Sequence, residues 1–431
     1  MTKKIFPINT ETSCLLKWNW STIYFNSGTS ASCHRTHKYY IDYKNFNQFH
    51  NLPEKIQARE VMLDGKWPGG GCEYCKSVES SGGTSDRQFN IKQLTNNLLV
   101  PPELYVDNTA ISVTPTILEV YFTNTCNMAC TYCGPHFSSL WAEENKKFNK
   151  ELVFLPGQDT VPFSVQKSQD NPHYDSMVKD FWRWLEEDDR YKIIQRYHIL
   201  GGEPFLLKEL DHSIDFWAEH GNPDLVFSVI TNLNIPQKRF DSYIKKFEKL
   251  VLSNKIWKLQ LTASLDCWGA EQEYVRWGLD LDLWQRNFES LINRPWVDLS
   301  INSVISPLTV KKLPALIEKI NEWNKLQTRV AGRWKSNPII HSFNTSEEIY
   351  YFGPQEFKQE FEKVLDTMPT DTEIQRGQQQ SMQGIVKKLH NSSFDAVGVN
   401  QLKKYLNELD YRRKTNWKDH FSWLDRDFNV Q

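Results

Sequence analysis

Cys126, Cys130 and Cys133 lie within eight residues of each other, in the spacing C-x3-C-x2-C. Thiolates so close in sequence can hold three corners of a [4Fe–4S] cube, because each iron takes one sulfur ligand from the protein. The fourth iron then has no protein ligand and can chelate a small molecule through an amine and a carboxylate. The alternative is a structural zinc site, which usually needs four ligands. His136 is the local candidate for the fourth, although the spacing C-x2-C-x2-H is cramped.

Four further cysteines lie in the first 75 residues. The segment between Cys14 and Cys33 predicts a strand that ends in a glycine turn at Gly28, and a hairpin there would bring both thiols to one end. Cys72 and Cys75 form a C-x2-C pair on a glycine-rich turn. Four thiols can fill every iron of a second [4Fe–4S] cube. They can equally form a zinc ribbon with four cysteine ligands.

Apolar segments typical of strands alternate with helical patterns after residue 111. The predicted strands are Ile117–Phe122, Arg196–Leu200, Leu225–Ile230, Lys258–Leu265, Val297–Asn302 and Ile339–Phe343. Strands separated by helices imply a parallel sheet, so we predict an α/β fold. Within the fourth strand, period-two alternation places polar residues, ending with Ser264, on one face and apolar residues on the other.

The sequence Gly-Gly-Glu-Pro, residues Gly201 to Pro204, directly follows the second predicted strand. Together with the cysteine loop, in which Tyr132 precedes the third thiol, it resembles the radical S-adenosylmethionine superfamily, whose signature is C-x3-C-x-(aromatic)-C. The resemblance implies a partial (β/α)6 TIM-like barrel with its ligands at the carboxyl ends of the strands. It also implies reductive cleavage of S-adenosylmethionine at a catalytic [4Fe–4S] cluster. The resulting 5'-deoxyadenosyl radical would abstract a hydrogen atom from a substrate.

The same resemblance implies roles for individual residues. Glu203 and its neighbouring glycines would hold the methionine amine, since a carboxylate pairs with an ammonium. Ser264 and Asp266 would contact the cofactor, with simple capping as the alternative. Arg276 belongs to an E-x-x-R element and would pair with the cofactor carboxylate or with Glu203, unless it is a surface arginine. The expected cofactor-binding residues are Gly201, Gly202, Glu203, Pro204, Thr231, Asn232, Ser264, Asp266, Arg276 and Asn302.

The amino-terminal cysteines are similar to the twitch domain, a shortened SPASM domain that holds an auxiliary iron–sulfur cluster. Its C-x(9–15)-G-x4-C element is matched by Cys14, Gly28 and Cys33. Relatives place this domain after the barrel, whereas here it comes first. We therefore predict a cluster-binding domain over residues 1–110 and a barrel core over 111–330, followed by a last strand and helical tail over 331–431.

Three features remain open from sequence. Cys267 follows Asp266 at the predicted barrel mouth, where a thiol could return a hydrogen atom to a substrate radical, although a lone cysteine is more often a small apolar filler. Residues 148–173 form a long polar insertion, which we expect to be a lid or disordered. In the tail, Arg412 and Arg413 interrupt a helical pattern with charge.

Composition restricts the setting. The chain carries 51 Lys plus Arg against 53 Asp plus Glu, so a basic surface for nucleic acid is not expected. No apolar segment approaches the roughly 20 residues of a membrane span, and the first residues lack the apolar core of a signal peptide. We expect a cytoplasmic protein. In that reducing compartment cysteines serve as metal ligands or reactive thiols rather than in disulfides.

The resemblance favours a peptide or protein substrate and a low-potential electron donor such as flavodoxin or ferredoxin. Oxidation or rearrangement of a small metabolite is the second hypothesis. The third, from another class, is a zinc-stabilised binding protein without catalytic activity.

Overall fold

The structure is a computed structural model that describes residues 12–80, 85–88, 112–149, 152, 171–328, 334 and 337–426. Both predicted domain boundaries, at 110/111 and 330/331, lie outside the described residues, and so does most of the insertion at 148–173. None of the helices in the described part of the chain combines the length and apolar character that a bilayer span requires.

The architecture is built on one nine-stranded, mostly parallel sheet with the strand order β3-β2-β1-β4-β5-β6-β7-β8-β9. The strands are β1 (Trp20–Tyr24), β2 (Thr29–Ala31), β3 (Tyr39–Tyr40), β4 (Ile117–Tyr121), β5 (Arg196–Leu200), β6 (Val226–Thr231), β7 (Lys258–Ser264), β8 (Val297–Ile305) and β9 (Ile340–Thr345). Strands β4 to β9 are parallel and adjacent in chain order. The predicted α/β class and its six parallel strands are confirmed, whereas closure into a partial barrel stays a prediction.

Helices connect these strands because the intervening segments are amphipathic and bury one apolar face against the sheet. In chain order they are α1 (Leu16–Asn19), α2 (Pro53–Leu63), α3 (Glu73–Ser80), α4 (Ser139–Phe148), α5 (Tyr174–Glu186), α6 (Lys208–Glu219), α7 (Gln237–Leu252), α8 (Ala270–Val275), α9 (Leu281–Glu289), α10 (Pro307–Val310), α11 (Leu313–Leu326), α12 (Lys358–Thr367), α13 (Glu373–His390), α14 (Ala396–Arg413) and α15 (Ser422–Arg426). Short 3-10 segments span Tyr43–Gln48, Glu187–Ile193, Pro204–Leu206, Glu347–Phe352 and Trp417–Asp419.

The amino-terminal segment extends the parallel sheet. Strand β1 pairs in parallel with β4 and antiparallel with β2. The predicted hairpin is present, and its turn uses Gly28 at a φ of +64°, a conformation that favours glycine. The strand starts later than predicted, because residues before Trp20 form the short helix α1. The sheet is therefore continuous from the amino-terminal cysteine segment into the core.

The two faces of the parallel sheet differ in chemistry. One face is apolar and packs in the main core, with residues such as Leu118, Ile199 and Leu261. On the other face a row of polar side chains crosses six neighbouring strands in register: Thr22, Glu119, His198, Ser228, Gln260 and Asp298. One row of polar side chains in register thus distinguishes this face from the apolar one.

The tail contradicts one expectation. We predicted that Arg412 and Arg413 interrupt the last helix, but α14 continues to Arg413 and both arginines are buried. Their charges are matched across the interface, because Glu144 on α4 lies 3.7 Å from Arg412 and 3.1 Å from Arg413. Burial of paired arginines joins the tail to the first helix after the cysteine loop.

Candidate functional site

The cysteine loop, residues 123–134, directly follows the carboxyl end of β4. Side chains of the first turn of helix α4 form hydrogen bonds with its backbone. The Ser139 hydroxyl accepts a hydrogen bond from the Cys126 amide at 3.1 Å and donates one to its carbonyl at 3.2 Å. The Trp141 indole donates to the Cys130 carbonyl at 2.8 Å. An irregular loop needs such partners for its backbone groups, so the first turn of α4 fixes the positions from which the thiols project.

The three thiols of this loop lie close enough to repel one another electrostatically. Burial raises the pKa of Cys126, and the neighbouring Cys130 and Cys133 raise it further. Burial and Cys130 raise the pKa of Cys133 to about 12. Free thiols here would keep their protons, whereas a bound cation would stabilise the thiolates. The donor set therefore fits a metal centre of high positive charge.

Within the described residues, no three His, Cys, Asp or Glu side chains are grouped to hold a single metal ion. The ligands of one zinc ion all lie about 2.0–2.3 Å from the same centre. A cubane instead binds each thiolate at a different iron.

The Gly201–Gly202 turn packs directly against the cysteine loop. A Cβ on Gly202 would lie 2.1 Å from the Thr125 carbonyl oxygen, and Gly201 has a φ of +113°. The Gly202 and Glu203 amides donate to the carbonyls of residues 123 and 125. These glycines thus allow the turn at Gly201–Gly202 to pack against the backbone of the cysteine loop. The predicted contact of the same glycines with a cofactor is a separate role. Pro204 follows as the first residue of a short buried 3-10 turn.

Glu203 is a buried carboxylate without a cationic partner among the described residues. It accepts hydrogen bonds from the Phe205 amide, the Thr231 hydroxyl and the Asn232 amide, at 2.7–3.0 Å. Burial raises its pKa to about 7, although these three bonds oppose the rise. Its charge also helps to raise the pKa of Cys126, so it lies near the thiols. A nitrogen donor bound beside it would supply the partner that it lacks.

Asn232 connects Glu203 to the cysteine loop. Its side-chain nitrogen lies 3.8 Å from the Cys126 sulfur and donates to the Asn127 side chain at 2.8 Å. Thr231 donates to Glu203. Both residues therefore orient Glu203 and the cysteine loop, and their predicted contacts with a cofactor stay predictions.

Asp266, Arg276 and Tyr132 form a buried triad behind Cys130. The Asp266 carboxylate accepts two hydrogen bonds from the Arg276 guanidinium, both at 2.8 Å, and one from the Tyr132 hydroxyl at 2.7 Å. It also accepts from the Val304 amide at 2.9 Å. Another guanidinium nitrogen of Arg276 lies 3.9 Å from the Cys130 sulfur.

This triad corrects the expected protein partner of Arg276, whereas the cofactor contacts of Arg276 and Asp266 stay predictions. Arg276 is neither a surface residue nor a partner of Glu203, because its guanidinium binds Asp266 in a bidentate pair. Asp266 is 0% exposed and already accepts four hydrogen bonds. Its carboxylate is therefore committed to Arg276 and Tyr132, and it positions them against the cysteine loop.

Ser264 and Asn302 pair with each other at the carboxyl ends of β7 and β8. Ser264 is buried, and the Asn302 side chain accepts a hydrogen bond from Asn344 at 2.8 Å. Both lie at the end of the sheet where the cysteine loop lies, and their cofactor contacts stay predictions.

Cys267 lies in the interior rather than at an open mouth. It is 0% exposed, and its sulfur lies 3.4 Å from the Gln272 side-chain oxygen. Burial raises the pKa of the thiol well above its usual value. This burial fits the small apolar filler that is the commoner role of a lone cysteine, and the role of hydrogen donor stays a prediction.

The amino-terminal thiols surround one pocket. Cys14, Cys33, Cys72 and Cys75 all line it. Burial and the neighbouring Cys33 raise the pKa of Cys14 to about 12. The turn before Cys72 needs glycine, since a Cβ on Gly71 would lie 2.2 Å from a backbone oxygen of the facing segment. The fold therefore brings all four predicted ligands around one space.

The two thiol groups lie at opposite ends of the same strands. Cys14 precedes β1, and Cys33 follows β2, which runs antiparallel to β1. Both therefore lie at the amino end of β1, whereas the cysteine loop follows the carboxyl end of β4, which is parallel to β1. The four residue steps of β4 span about 13 Å, at about 3.3 Å per residue. Neither group can share a ligand with the other.

Two tail residues that reach the cysteine loop were missed from sequence. The Tyr405 hydroxyl donates to the Thr131 carbonyl at 2.5 Å. The Arg413 guanidinium lies 4.8 Å from the ring centre of Trp141, and its charge opposes the burial that raises the pKa of Cys130. In sequence Arg413 interrupts an amphipathic helix, so only its burial reveals the contact.

The sequence matches no protein-family profile and no curated protein. Among solved structures, the crystal structure of Streptococcus suis SuiB aligns over 91% of this chain and 68% of that chain, with 14% sequence identity and a TM-score of 0.33. A superposition this loose carries no argument about chemistry.

Proposed function

We propose that the chain is a radical S-adenosylmethionine enzyme. The observation that carries the proposal is the convergence of three thiols on one loop with a buried carboxylate, beyond the carboxyl ends of parallel strands. The carboxylate is that of Glu203, which has no cationic partner among the described residues. When bound, a [4Fe–4S] cluster and S-adenosylmethionine supply a 5'-deoxyadenosyl radical that takes a hydrogen atom from a substrate.

The chain's own residues prepare that site. Cys126, Cys130 and Cys133 would hold the catalytic cluster. Glu203 accepts a hydrogen bond from the methionine amine and is itself oriented by three donors. Arg276 places positive charge beside Cys130, which stabilises a thiolate at that corner of the cluster.

The second thiol group holds an auxiliary [4Fe–4S] cluster in this proposal. Cys14, Cys33, Cys72 and Cys75 fill all four irons, so this cluster has no open position. Its place at the amino end of β1 is far from the cysteine loop. It therefore serves electron transfer or the stability of the amino-terminal segment, and it does not bind the reacting substrate.

The substrate occupies the polar face of the sheet. Among the described residues, His198 has no hydrogen-bond partner on either ring nitrogen, and Glu119 lies 3.6 Å from it. These groups suit a substrate rich in hydrogen-bonding groups, and a peptide or protein is our leading candidate. A small polar metabolite is the alternative.

The proposal is tested by anaerobic reconstitution of the full chain with iron and sulfide. We expect about eight irons per chain, as two cubanes require. Reduction with dithionite, or with a flavodoxin or ferredoxin as the natural class of donor, should release 5'-deoxyadenosine, measured by mass spectrometry. The matched pair of variants is Cys126→Ala, which should abolish cleavage, and Cys267→Ala, which should retain it. A chain that takes up zinc and releases no 5'-deoxyadenosine would refute the proposal.

A further inference from the structure

The polar face of the sheet, which carries Glu119 and His198, is accessible to solvent. Alternate residues of β5 and β7 on this face are half-buried: Arg196, His198, Lys258, Gln260 and Thr262. The residues between them lie on the apolar face and are buried. A parallel sheet is usually covered on both faces. A face that water reaches and that carries charged groups can therefore admit a polar ligand.

Arg196 is a cation without a partner on this face. In the described part of the chain its side chain forms no hydrogen bond or ion pair, and its Nε atom is shielded from solvent. Its neighbours in register, Ile117 on β4 and Val226 on β6, are buried and apolar. A guanidinium keeps its charge in proteins, and enclosing a charge without acceptors is costly. Arg196 therefore needs an anion that the described residues do not supply.

The carboxylates nearest to Arg196 on the sheet are engaged elsewhere. Asp298 forms an ion pair with Lys258 at 2.5 Å. Glu119 lies 3.6 Å from the His198 ring, and none of the described carboxylates lies within ion-pair distance of the Arg196 guanidinium. Arg196 also does not line the pocket of the amino-terminal thiols, so that pocket does not provide the anion. A ligand on the polar face can provide it.

A singly charged carboxylate fits this position better than a phosphate. Burial lowers the pKa of His198 to about 3, so its imidazole is neutral and adds no positive charge. Glu119 is in register with His198, and its carboxylate disfavours a second negative charge nearby. A planar carboxylate accepts two parallel hydrogen bonds from a guanidinium. The His198 ring, the next side chain on this face of β5, offers a further N–H donor.

We propose that Arg196 binds a carboxylate of the substrate and so determines specificity. The inference rests on the proposed function, because it takes the polar face as the substrate site. From Arg196 to Leu200, β5 spans about 13 Å at about 3.3 Å per residue, and the turn that follows packs against the cysteine loop. The carboxylate is therefore a recognition group away from the reacting carbon. A ligand that reaches both places is extended, as a peptide would be.

The test measures the dissociation constants of small probes on the full chain by ligand-detected NMR titration. N-acetylglycine carries the carboxylate of a peptide end, and N-acetylglycinamide is its neutral counterpart. The α-amide of N-acetylaspartic acid carries the same charge on a side chain, and inorganic phosphate supplies a dianion. Arg196→Met removes the charge at similar length. Arg190→Met is the matched control, because Arg190 already pairs with Glu187 and Asp188.

We expect one of the two acids to bind the parent at least about tenfold more tightly than N-acetylglycinamide, as hydrogen bonds to a charged group allow. The acid that binds more tightly identifies the carboxylate as a peptide end or as a side chain. Arg196→Met should lose this preference, and Arg190→Met should keep it. Arg196→Met should also be at least as stable as the parent in guanidinium chloride, because it removes an unmatched charge.

Equal binding of acids and amide by the parent, or an unchanged preference in Arg196→Met, would overturn the proposal. Tighter binding of phosphate than of either acid would overturn the carboxylate assignment. An Arg196→Met chain that does not fold would also overturn it, since the arginine would then be needed for the structure itself. Cleavage of S-adenosylmethionine is measured separately in the parent. A chain that binds the acid through Arg196 but releases no 5'-deoxyadenosine would refute the proposed function and support the carboxylate site.

Discussion

Replacing Asp266 with asparagine should destabilise the protein far more than the same change at an exposed aspartate. Asp266 is 0% exposed and forms a bidentate ion pair with Arg276. Asparagine removes the charge and offers one oxygen instead of two, so the buried guanidinium is left unmatched. Breaking a buried pair in this way costs about 3–5 kcal/mol. This corresponds to a factor of about a hundred to several thousand in the folded-to-unfolded ratio.

Asp211 provides the control. It also pairs with a lysine, at 2.5 Å, and accepts from a tyrosine hydroxyl at 2.8 Å, but its side chain is 41% exposed. An exposed pair contributes about 0–1 kcal/mol. Guanidinium chloride denaturation of the metal-free chain, followed by tryptophan fluorescence, gives both values. Similar losses for Asp266→Asn and Asp211→Asn would refute the assignment of Asp266 as the buried anchor of Arg276. Iron loading at the cysteine loop should also fall in Asp266→Asn alone.

Three further substitutions test the groups around the cysteine loop. Burial raises the pKa of Glu203 from 4.5 to about 7, so between these pH values the folded state binds more protons than the unfolded state. The free energy of unfolding therefore falls as the pH rises from 4.5 to about 7. At about 1.36 kcal/mol per pKa unit the loss is up to about 3 kcal/mol. Glu203→Gln should remove this loss, and denaturation curves with the same pH dependence in both proteins would contradict it. Gly202→Ala should lower the free energy of unfolding by about 1–3 kcal/mol, because its Cβ would lie 2.1 Å from a backbone oxygen. The control Gly134→Ala has open space at its Cβ and should show the melting temperature of the parent in a thermal scan. Tyr405→Phe removes a hydrogen bond to the cysteine loop and should lower the free energy of unfolding by about 0.5–1.5 kcal/mol. Tyr411, which is 63% exposed, provides the control. Equal denaturation midpoints for Tyr405→Phe and Tyr411→Phe would argue against the contact of Tyr405 with the loop.

The parallel strands and the helices between them could be predicted because their signals are local. Alternation in β7, for example, appears both in the sequence and in the burial of every second residue. The same is true of the turn at Gly28, where the chain needs a positive φ. These features depend on a few neighbouring residues, so no knowledge of distant contacts was required.

The site was only partly predictable, because its decisive partners are far apart in sequence. Arg276 was expected to bind Glu203 or a cofactor, and it binds Asp266 instead. Nothing in the sequence shows which of two carboxylates a guanidinium reaches. Likewise, the charge of Arg412 and Arg413 at the end of α14 is typical of a surface segment. Both are buried because they pair with Glu144, which lies over 260 residues earlier in the chain.

The sequence by itself determined which side chains can do chemistry, namely two sets of cysteines and a carboxylate after a parallel strand, since spacing within short motifs is a local property. Only the tertiary structure decided where these sets lie: the pairing of β1 with β2 and β4 puts them at opposite ends of the sheet. It also decided which charges are matched, leaving Glu203 without an opposite charge among the described residues. Burial creates that requirement, because a charge that water would solvate in an unfolded chain needs a partner once it is enclosed.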